Sequence, residues 1–147
     1  QEIPDIAITT DIIVGFPGEM PCDVDETIDV IKKVKYDNAF TFIYSKRTGT
    51  PAAAMENQVP EAVVKEGFDR VLKVVQDTAR EQVSRLLGQT LEALVEEVNE
   101  HDDRLLTGRL SNNTIVHFEG EKSLIGQIVP VHLKECRGFY YFGEMTI

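Results

Sequence analysis

The sequence predicts an α/β portion followed by an all-β portion, and the period of its hydrophobic residues carries that prediction. Up to Gly88, strand-like and helix-like segments alternate in the order βαβα, which is the order of a parallel (β/α) barrel. Beyond Gly88 the pattern is strand-like throughout, with five short candidate strands, as is typical of a small closed barrel. We therefore predict the terminal βαβα portion of a partial parallel barrel in residues 1–88 and a five-stranded β-barrel in residues 89–147.

The first predicted strand, from Ile6 to Gly15, has two unlike faces. One face is apolar, and the other is mostly small or polar, with Ala7, Thr9, Asp11, Ile13 and Gly15. Burying a polar side chain in a strand costs free energy unless a partner hydrogen-bonds to it, and we take a bound ligand as the candidate partner. The glycines and proline of Gly15–Gly18 end the strand, and a helix follows in which Asp23 and Glu26 form the predicted capping pair.

The second predicted strand, Asn38 to Ser45, divides in the same way. Its large side chains, Phe40, Phe42 and Tyr44, alternate with Ala39, Thr41, Ile43 and Ser45. We expect the large side chains to pack under the helices and the smaller ones to line the barrel interior. Asp11 and Ser45 are then predicted to form parts of one cavity wall. Because two strands cannot close a barrel, we expect the other strands to precede Gln1 and interpret the chain as a fragment of a longer protein.

Loops at the carboxyl ends of parallel strands build binding sites, and Arg47 lies in the loop after the second predicted strand. Arg47 is a candidate contact for an anion or phosphate, and a solvated loop charge is the alternative interpretation. From Pro60 to about Leu87, an apolar stripe at helical spacing predicts a long helix that Gly88 ends.

Composition limits the classes of function that the chain can have. The net charge of −10 argues against a broad, nonspecific grip on phosphate backbones, because such binding relies on clustered Lys and Arg. Cys22 and Cys136 match no metal or redox spacing, so we interpret them as reduced thiols of a cytoplasmic protein. No run approaches the roughly 20 apolar residues that span a membrane, and we expect no membrane partner.

Small β-barrels often bind nucleic acid through aromatic side chains that stack on bases beside cations. In the predicted barrel the candidates are Arg109, Arg137, Phe139 and Tyr140. Three histidines, His101, His117 and His132, are weaker candidates for which we expect ordinary polar positions. Residues 89–147 carry five Lys plus Arg and ten Asp plus Glu, so the predicted barrel is acidic. The competing interpretation is therefore that its aromatic side chains fill the core and do not bind nucleic acid.

Three motifs carry a family resemblance: TTDIIVGFPGE, DNAFTFIYSKRTGTPAA, and LLTGRLSNN followed directly by TIVHF. Together they resemble the carboxyl-terminal part of the radical-SAM methylthiotransferases, most closely the MiaB family, and the third motif is a TRAM-domain pattern. The resemblance covers essentially the whole chain. It implies a partial parallel barrel that holds S-adenosylmethionine and a 4Fe-4S cluster, a second 4Fe-4S cluster on an amino-terminal domain, and a TRAM barrel that helps to hold RNA.

The resemblance also implies roles for individual residues. Asp11 and Gly15 match the strand near S-adenosylmethionine, and Ser45 matches the end of the next strand, so these three are the expected cofactor-binding residues. Arg47 lies near the implied substrate entrance, and Arg109 and Asn113 match the TRAM signature. With Arg137 from the barrel pattern, they are the expected RNA-binding residues. We expect no catalytic residue and no metal ligand in this chain.

The family adds a methylthio group to isopentenyl-adenosine beside the anticodon, so the expected partners are the tRNA anticodon stem-loop and the missing amino-terminal domains. The family's CxxxCxxC triad, which binds the cluster that cleaves S-adenosylmethionine, does not occur in this sequence. We therefore expect the fragment to bind no cofactor and to be inactive alone. Exposed strand edges predict that it self-associates.

Two alternatives remain open at this stage. The sister branch, which resembles RimO and modifies a ribosomal protein, is favoured by the acidic small barrel, because a basic protein would suit that charge. It ranks lower because that branch usually carries an acidic pair where Lys46-Arg47-Thr48 stand here. The other alternative is a non-catalytic RNA-binding TRAM module.

Overall fold

The computed structural model describes residues 6–146, in which Ala7–Ala79 form one compact unit and residues 80–146 belong to a second. The elements are β1 (Thr9–Val14), α1 (Pro21–Val34), β2 (Asn38–Ile43), α2 (Pro51–Ala54), α3 (Glu61–Ser84), β3 (Thr90–Val98), β4 (Leu105–Leu110), β5 (Ile115–Glu119), a 3-10 turn (Lys122–Leu124), β6 (Ile128–Arg137) and β7 (Tyr140–Met145). An α/β portion thus precedes a closed five-stranded barrel, and the predicted fold class is confirmed.

In the first unit, β1 and β2 pair in parallel and α1 connects them, as predicted for a βαβ unit. Their shared core consists of Val14, Val24, Ile31, Ala39, Val71 and Val75.

Gly67 lies inside α3, where glycine costs about 1 kcal/mol relative to alanine. A Cβ atom there would lie 3.2 Å from Val24 Cγ2 and 3.4 Å from Val14 Cγ1, so the missing side chain lets α3 pack closely on this core.

The predicted orientation of β2 is wrong. The parallel register pairs Asp11 with Phe40 and Ile13 with Phe42, so these residues share one face of the sheet. Phe40 and Phe42 are 54% and 52% exposed, whereas Ala39 is 8% exposed and packs under the helices. Alternation in a strand separates two faces but does not show which one the helices cover. The open face is therefore largely apolar, not small and polar as predicted.

The helix ends differ from the predictions in detail. Helix α1 begins at Pro21, which suits the first helical position because its missing N–H needs no partner there. The backbone N–H of Met20 donates to Asp23 Oδ2 at 2.7 Å, so Asp23 lies in the third helical position and the predicted pairing with Glu26 is wrong. The short helix α2 was not predicted.

The second unit is a barrel with the strand order β3-β4-β5-β7-β6, closed by pairing of β6 with β3. All neighbouring strands are antiparallel except β5 and β7, which pair in parallel. The sequence predicts these five strands at 90–98, 105–110, 114–118, 127–136 and 139–145, and they are confirmed with ends that agree within one residue.

The barrel core contains Ala93, Val95, Leu106, Leu110, Val116, Phe118, Val129, Val131, Leu133 and Tyr141. Tyr141 is the largest fully buried side chain, and its hydroxyl donates a hydrogen bond to the backbone oxygen of Val83 in the last turn of α3. The same carbonyl accepts the backbone N–H of Leu86 at 3.3 Å, so the Tyr141 hydroxyl adds a second hydrogen bond at the end of the helix. Within residues 6–146, no helix combines the length and apolar character needed to cross a membrane.

Gly143 on β7 provides a test of the barrel packing. A Cβ atom there would lie 2.5 Å from Val131 Cγ1 and 2.7 Å from the backbone oxygen of His132, which cannot move without disturbing the β6 ladder. Gly143→Ala is expected to lower the free energy of unfolding by about 1–3 kcal/mol through overpacking, as measured by urea denaturation.

The matched control is Gly120→Ala. Its Cβ would meet the ends of two flexible leucine side chains, those of Leu106 at 2.7 Å and Leu124 at 3.3 Å, and no backbone atom. We expect a smaller loss there. Equal losses for the two variants would contradict the packing described for β7.

Candidate functional site

An open hollow of about 630 Å³ borders the carboxyl end of the two-stranded sheet. Its lining includes Ile13, Phe16, Phe42, Tyr44, Ser45 and Arg47. Two residues predicted from sequence, Ser45 and Arg47, therefore come together at one hollow. Because Ile13 and Phe42 are register partners, the hollow lies on the open face of the sheet.

The hydroxyl of Tyr44 is the least satisfied polar group in this region. Its oxygen is buried and has no hydrogen-bond partner among residues 6–146. The Tyr44 ring meets the Phe16 ring edge-on, with 5.3 Å between centroids. A buried hydroxyl without a partner is costly, so this is a position at which a polar group of a ligand or a water would stabilise the protein.

Asp11 does not form the predicted wall with Ser45, and Gly15 does not line the hollow either. Asp11 is exposed on the same face as Ile13 but does not line the hollow. Gly15 is buried with φ +84°, and a Cβ atom there would lie 2.7 Å from the Val64 side chain. Its N–H donates to Glu19 Oε2 at 2.6 Å. Backbone conformation and packing therefore explain this glycine without a ligand.

The outer surface of the barrel gathers several of the predicted RNA-binding residues. Val116, Phe118 and Tyr141 are buried, so the residues that alternate with them point outward. Successive register partners across β6, β7, β5 and β4 are Arg137, Tyr140, Ile115 and Arg109. The next row contains Glu135, Phe142, His117 and Thr107. The two predicted arginines thus lie at opposite ends of one row, with an aromatic residue between them.

Arg109 holds the hairpin between β4 and β5. Its Nε donates to Glu96 Oε1 at 2.7 Å, and its Nη1 donates to the backbone and side-chain oxygens of Asn113 at 3.3 and 3.2 Å. Asn113 has φ +68°, as expected for an asparagine in a hairpin turn. The hydrogen bond from Arg109 keeps the pKa of Glu96 below its usual range. The structure therefore joins the two TRAM-signature residues and gives them a structural role in the hairpin.

Arg137 is held in a similar way at the other end of the row. Its Nε donates to Glu135 Oε1 at 2.7 Å, and this hydrogen bond lowers the pKa of Glu135. The guanidinium carbon lies 4.8 Å from the centroid of the Phe142 ring, which is within the range of a cation–π contact. Arg137 thus lies beside an aromatic ring, which is that of Phe142 and not of the predicted Phe139 or Tyr140.

His117, Tyr140 and Phe142 form what we call the aromatic face. The His117 ring lies 5.1 Å from Tyr140 and 5.7 Å from Phe142, and the latter two rings are 5.7 Å apart, all between centroids. All three residues are half-buried. Sequence reasoning ranked His117 as an ordinary polar position. The alternation of His117 with Val116 and Phe118 in the sequence could have shown that it points outward. Its contacts with Tyr140 and Phe142 could not be predicted, because they form only when the barrel closes.

Asn99 fixes the tautomer of His117. The backbone N–H groups of His101 and Asp102 both donate to Asn99 Oδ1, at 2.9 and 3.1 Å. The other end of the amide is therefore the NH₂ group, which lies 3.1 Å from His117 Nδ1. An NH₂ group only donates, so Nδ1 accepts and the ring proton resides on Nε2. Thr107 Oγ1 also lies 3.2 Å from Nδ1.

Comparison with known proteins shows which family this chain resembles. The TRAM domain matches residues 84–146. The tRNA-2-methylthio-N(6)-dimethylallyladenosine synthase of Lachnoclostridium phytofermentans is 59% identical over 97% of this chain and 31% of its own length. Over nearly its whole length the chain is similar to the MiaB family of these synthases. Synthases of the same name from Acetivibrio thermocellus and Alkaliphilus oremlandii are 53% and 46% identical, each over 99% of this chain and about 30% of their length.

The chain thus spans about a third of the length of its MiaB relatives. Its two cysteines belong to different units, and Cys22 is exposed while Cys136 is half-buried. In the described part of the chain, no group of three His, Cys, Asp or Glu side chains is arranged to hold a metal. The residues present therefore do not fit an iron–sulfur cluster.

The Asn99–His117 contact predicts a pH dependence. Burial lowers the pKa of His117, and a proton on Nδ1 would also face the donating NH₂ group of Asn99. The unfolded state, in which histidine titrates near about pH 6.5, then binds the proton more tightly than the folded state. Stability contributed by neutral His117 is present above that pH and is lost as the pH falls below it.

The pH dependence is measured by urea denaturation between pH 7.5 and 5. His117→Gln is expected to flatten the decline in the free energy of unfolding. The matched variant His132→Gln retains His117 and should keep the contribution of His117 to the slope. Parallel profiles for wild type and His117→Gln would contradict the assignment.

Proposed function

We propose that this chain is the carboxyl-terminal portion of a tRNA methylthiotransferase that adds a methylthio group to isopentenyl-adenosine beside the anticodon. The observation that carries the proposal is the 59% identity to a named synthase across nearly the whole chain. The TRAM match over residues 84–146 supports RNA as the partner of the barrel. A cytoplasmic location is expected with such a substrate.

The relatives support the tRNA branch over the ribosomal-protein branch. The three relatives described above carry names that specify a tRNA adenosine. The acidic barrel, which favoured a basic protein partner, has its outer arginines paired with carboxylates, including Arg109 with Glu96 and Arg137 with Glu135. Exposed ion pairs contribute little, so RNA phosphates can replace those carboxylates.

S-adenosylmethionine is the expected methyl and radical source in the complete enzyme. The hollow beside Ser45 suits part of it, because Phe16 and Phe42 offer aromatic surface and the buried hydroxyl of Tyr44 lacks a partner. We assign Ser45 to this subsite. Asp11 on β1 and Gly15, which directly follows this strand, do not line the hollow, and we keep them as proposed supporting residues only. Arg47 lines the same hollow and is the proposed contact to the RNA phosphate at its entrance.

The iron–sulfur clusters are expected to belong to parts of the enzyme that this chain does not contain. Reconstitution of the chain with iron and sulfide should give no cluster absorbance and, with S-adenosylmethionine and reductant, no methionine or deoxyadenosine. A Cys22→Ser/Cys136→Ser double variant should retain the same small amount of iron as wild type. Cluster absorbance together with both products would overturn the proposed inactivity of the fragment.

The open apolar face of the sheet, with Ile13, Phe40 and Phe42 about half exposed, supports self-association of the isolated chain. Elution earlier than a monomer in concentration-dependent gel filtration is the expected result. Phe40→Lys should shift the chain towards the monomer, because a charge on this face opposes its burial. Concentration-independent elution as a monomer would exclude self-association.

Binding to RNA separates the two branches of the family. The chain is titrated with a labelled anticodon stem-loop RNA and, separately, with a basic ribosomal protein. We expect the RNA to bind and the protein not to bind. Arg47→Gln should weaken RNA binding by roughly 1.5 kcal/mol, a typical value for a hydrogen bond to a charged group.

The matched control is Arg70→Gln, since Arg70 on α3 is bonded to Asp25 on α1 and lines neither the hollow nor the aromatic face. It should leave RNA affinity unchanged. Preference for the ribosomal protein would favour the sister branch instead.

A further inference from the structure

The aromatic face has a hydrogen-bond donor that the protein does not use. Because Asn99 and Thr107 occupy Nδ1 of His117, the ring proton lies on Nε2. Within residues 6–146, Nε2 has no hydrogen-bond acceptor. The donor is held in one orientation, because the amide of Asn99 is itself fixed by two backbone N–H groups. A rigid donor beside aromatic rings is what recognition of a flat polar ligand requires.

The rings around this donor provide a stacking surface. Tyr140 and Phe142 are half-buried, so each keeps part of its ring accessible. Neighbouring Phe139, at the tip of the β6–β7 hairpin, is 63% exposed. Arg137 lies over Phe142, which adds a guanidinium plane to the surface. Nucleobases stack on both aromatic rings and guanidinium planes, and this stacking depends little on sequence.

The arginines that flank the aromatic face limit the kind of RNA contact. Arg109 and Arg137 lie at the ends of the row that crosses β4, β5, β7 and β6, and each is paired with an exposed glutamate. Such pairs exchange partners at little cost. Yet residues 89–147 carry twice as many acidic as basic residues. This surface therefore supplies few phosphate contacts, and its affinity must come mainly from a base.

We propose that the aromatic face binds one unpaired base of single-stranded RNA, which stacks beside Tyr140 and Phe142 and accepts a hydrogen bond from His117 Nε2–H. Arg109 and Arg137 exchange their glutamates for the phosphates on either side of that base. This inference rests on the proposed function, because it takes RNA as the partner. It adds the subsite, the kind of nucleotide and a recognition role for a histidine.

A base fits this surface better than a duplex or a basic protein. In a duplex the base faces are stacked and their Watson–Crick edges are paired, so neither is accessible to the rings or to the histidine. A lysine or arginine side chain of a protein partner brings donors only, and it would meet the Nε2–H donor without an acceptor. An unpaired base offers both a π face and an acceptor edge.

The test measures binding of the 147-residue chain to a short fluorescent single-stranded RNA and to a blunt duplex of the same sequence. Tyr140→Leu and Phe142→Leu should each weaken single-strand binding by about 5- to 150-fold, the range for loss of one stacked base. His117→Phe keeps a ring but removes the donor, and a loss of roughly two- to tenfold is expected. The duplex should bind more weakly than the single strand.

The control variant is His132→Gln, which removes a histidine of the same barrel outside the aromatic face and should leave affinity unchanged. Circular dichroism and thermal unfolding establish that each variant is folded. Arg137→Gln should reduce the slope of log affinity against log salt concentration by about 0.7, the value for one single-strand phosphate contact. If His117→Phe does not fold, Tyr140→Leu and the salt slope still decide the question.

Three outcomes are distinguishable. Loss of single-strand binding in folded aromatic-face variants, with the control unchanged, supports the proposal. RNA binding that these variants leave unchanged overturns it but leaves the proposed tRNA function standing. No RNA binding by the wild-type chain, together with binding of a basic ribosomal protein, overturns both.

Discussion

The parallel pairing of β5 with β7 is the constraint on which the barrel and its outer surface depend. These strands are not neighbours in sequence, and β6 lies between them along the chain but on the other side of β7 in the sheet. The pairing places Val116 beside Tyr141 in the core and His117 beside Phe142 outside. One register therefore sets both the packing of the largest buried side chain and the composition of the aromatic face.

A network of hydrogen bonds fixes the orientation of His117 on the aromatic face. The loop between β3 and β4 turns around Asn99, whose amide oxygen accepts two backbone N–H groups of the loop. That same amide orients His117, 18 residues away in sequence. In the loop, the hydrogen bond from Arg104 lowers the pKa of Asp102 to about 2, so this carboxylate stays charged under ordinary conditions. Loop geometry and the orientation of the histidine are thus coupled.

Sequence reasoning succeeded where one period of hydrophobic residues identifies one element. The five barrel strands and the β1–α1–β2 order were predicted because alternation and helical spacing are local properties. It failed for the faces of β2, because which face the helices cover depends on the register with β1 and not on the strand itself. Ser45 and Arg47 line one hollow, whereas Asp11, which was expected to share a wall with Ser45, lies outside it. Arg109 and Asn113 were identified through the family resemblance, but their mutual hydrogen bonds required the hairpin geometry. His117 was undervalued because its partners come from two other strands, β4 and β7, and from the loop after β3.

The protonation state of His117 is the most direct test of this account. Long-range proton–nitrogen NMR of the ¹⁵N-histidine-labelled chain at neutral pH reports which ring nitrogen carries the hydrogen. We expect a neutral ring with the proton on Nε2 and nuclear Overhauser contacts from its carbon-bound protons to Phe142. A proton on Nδ1, a charged imidazolium at neutral pH, or the absence of those contacts would contradict it.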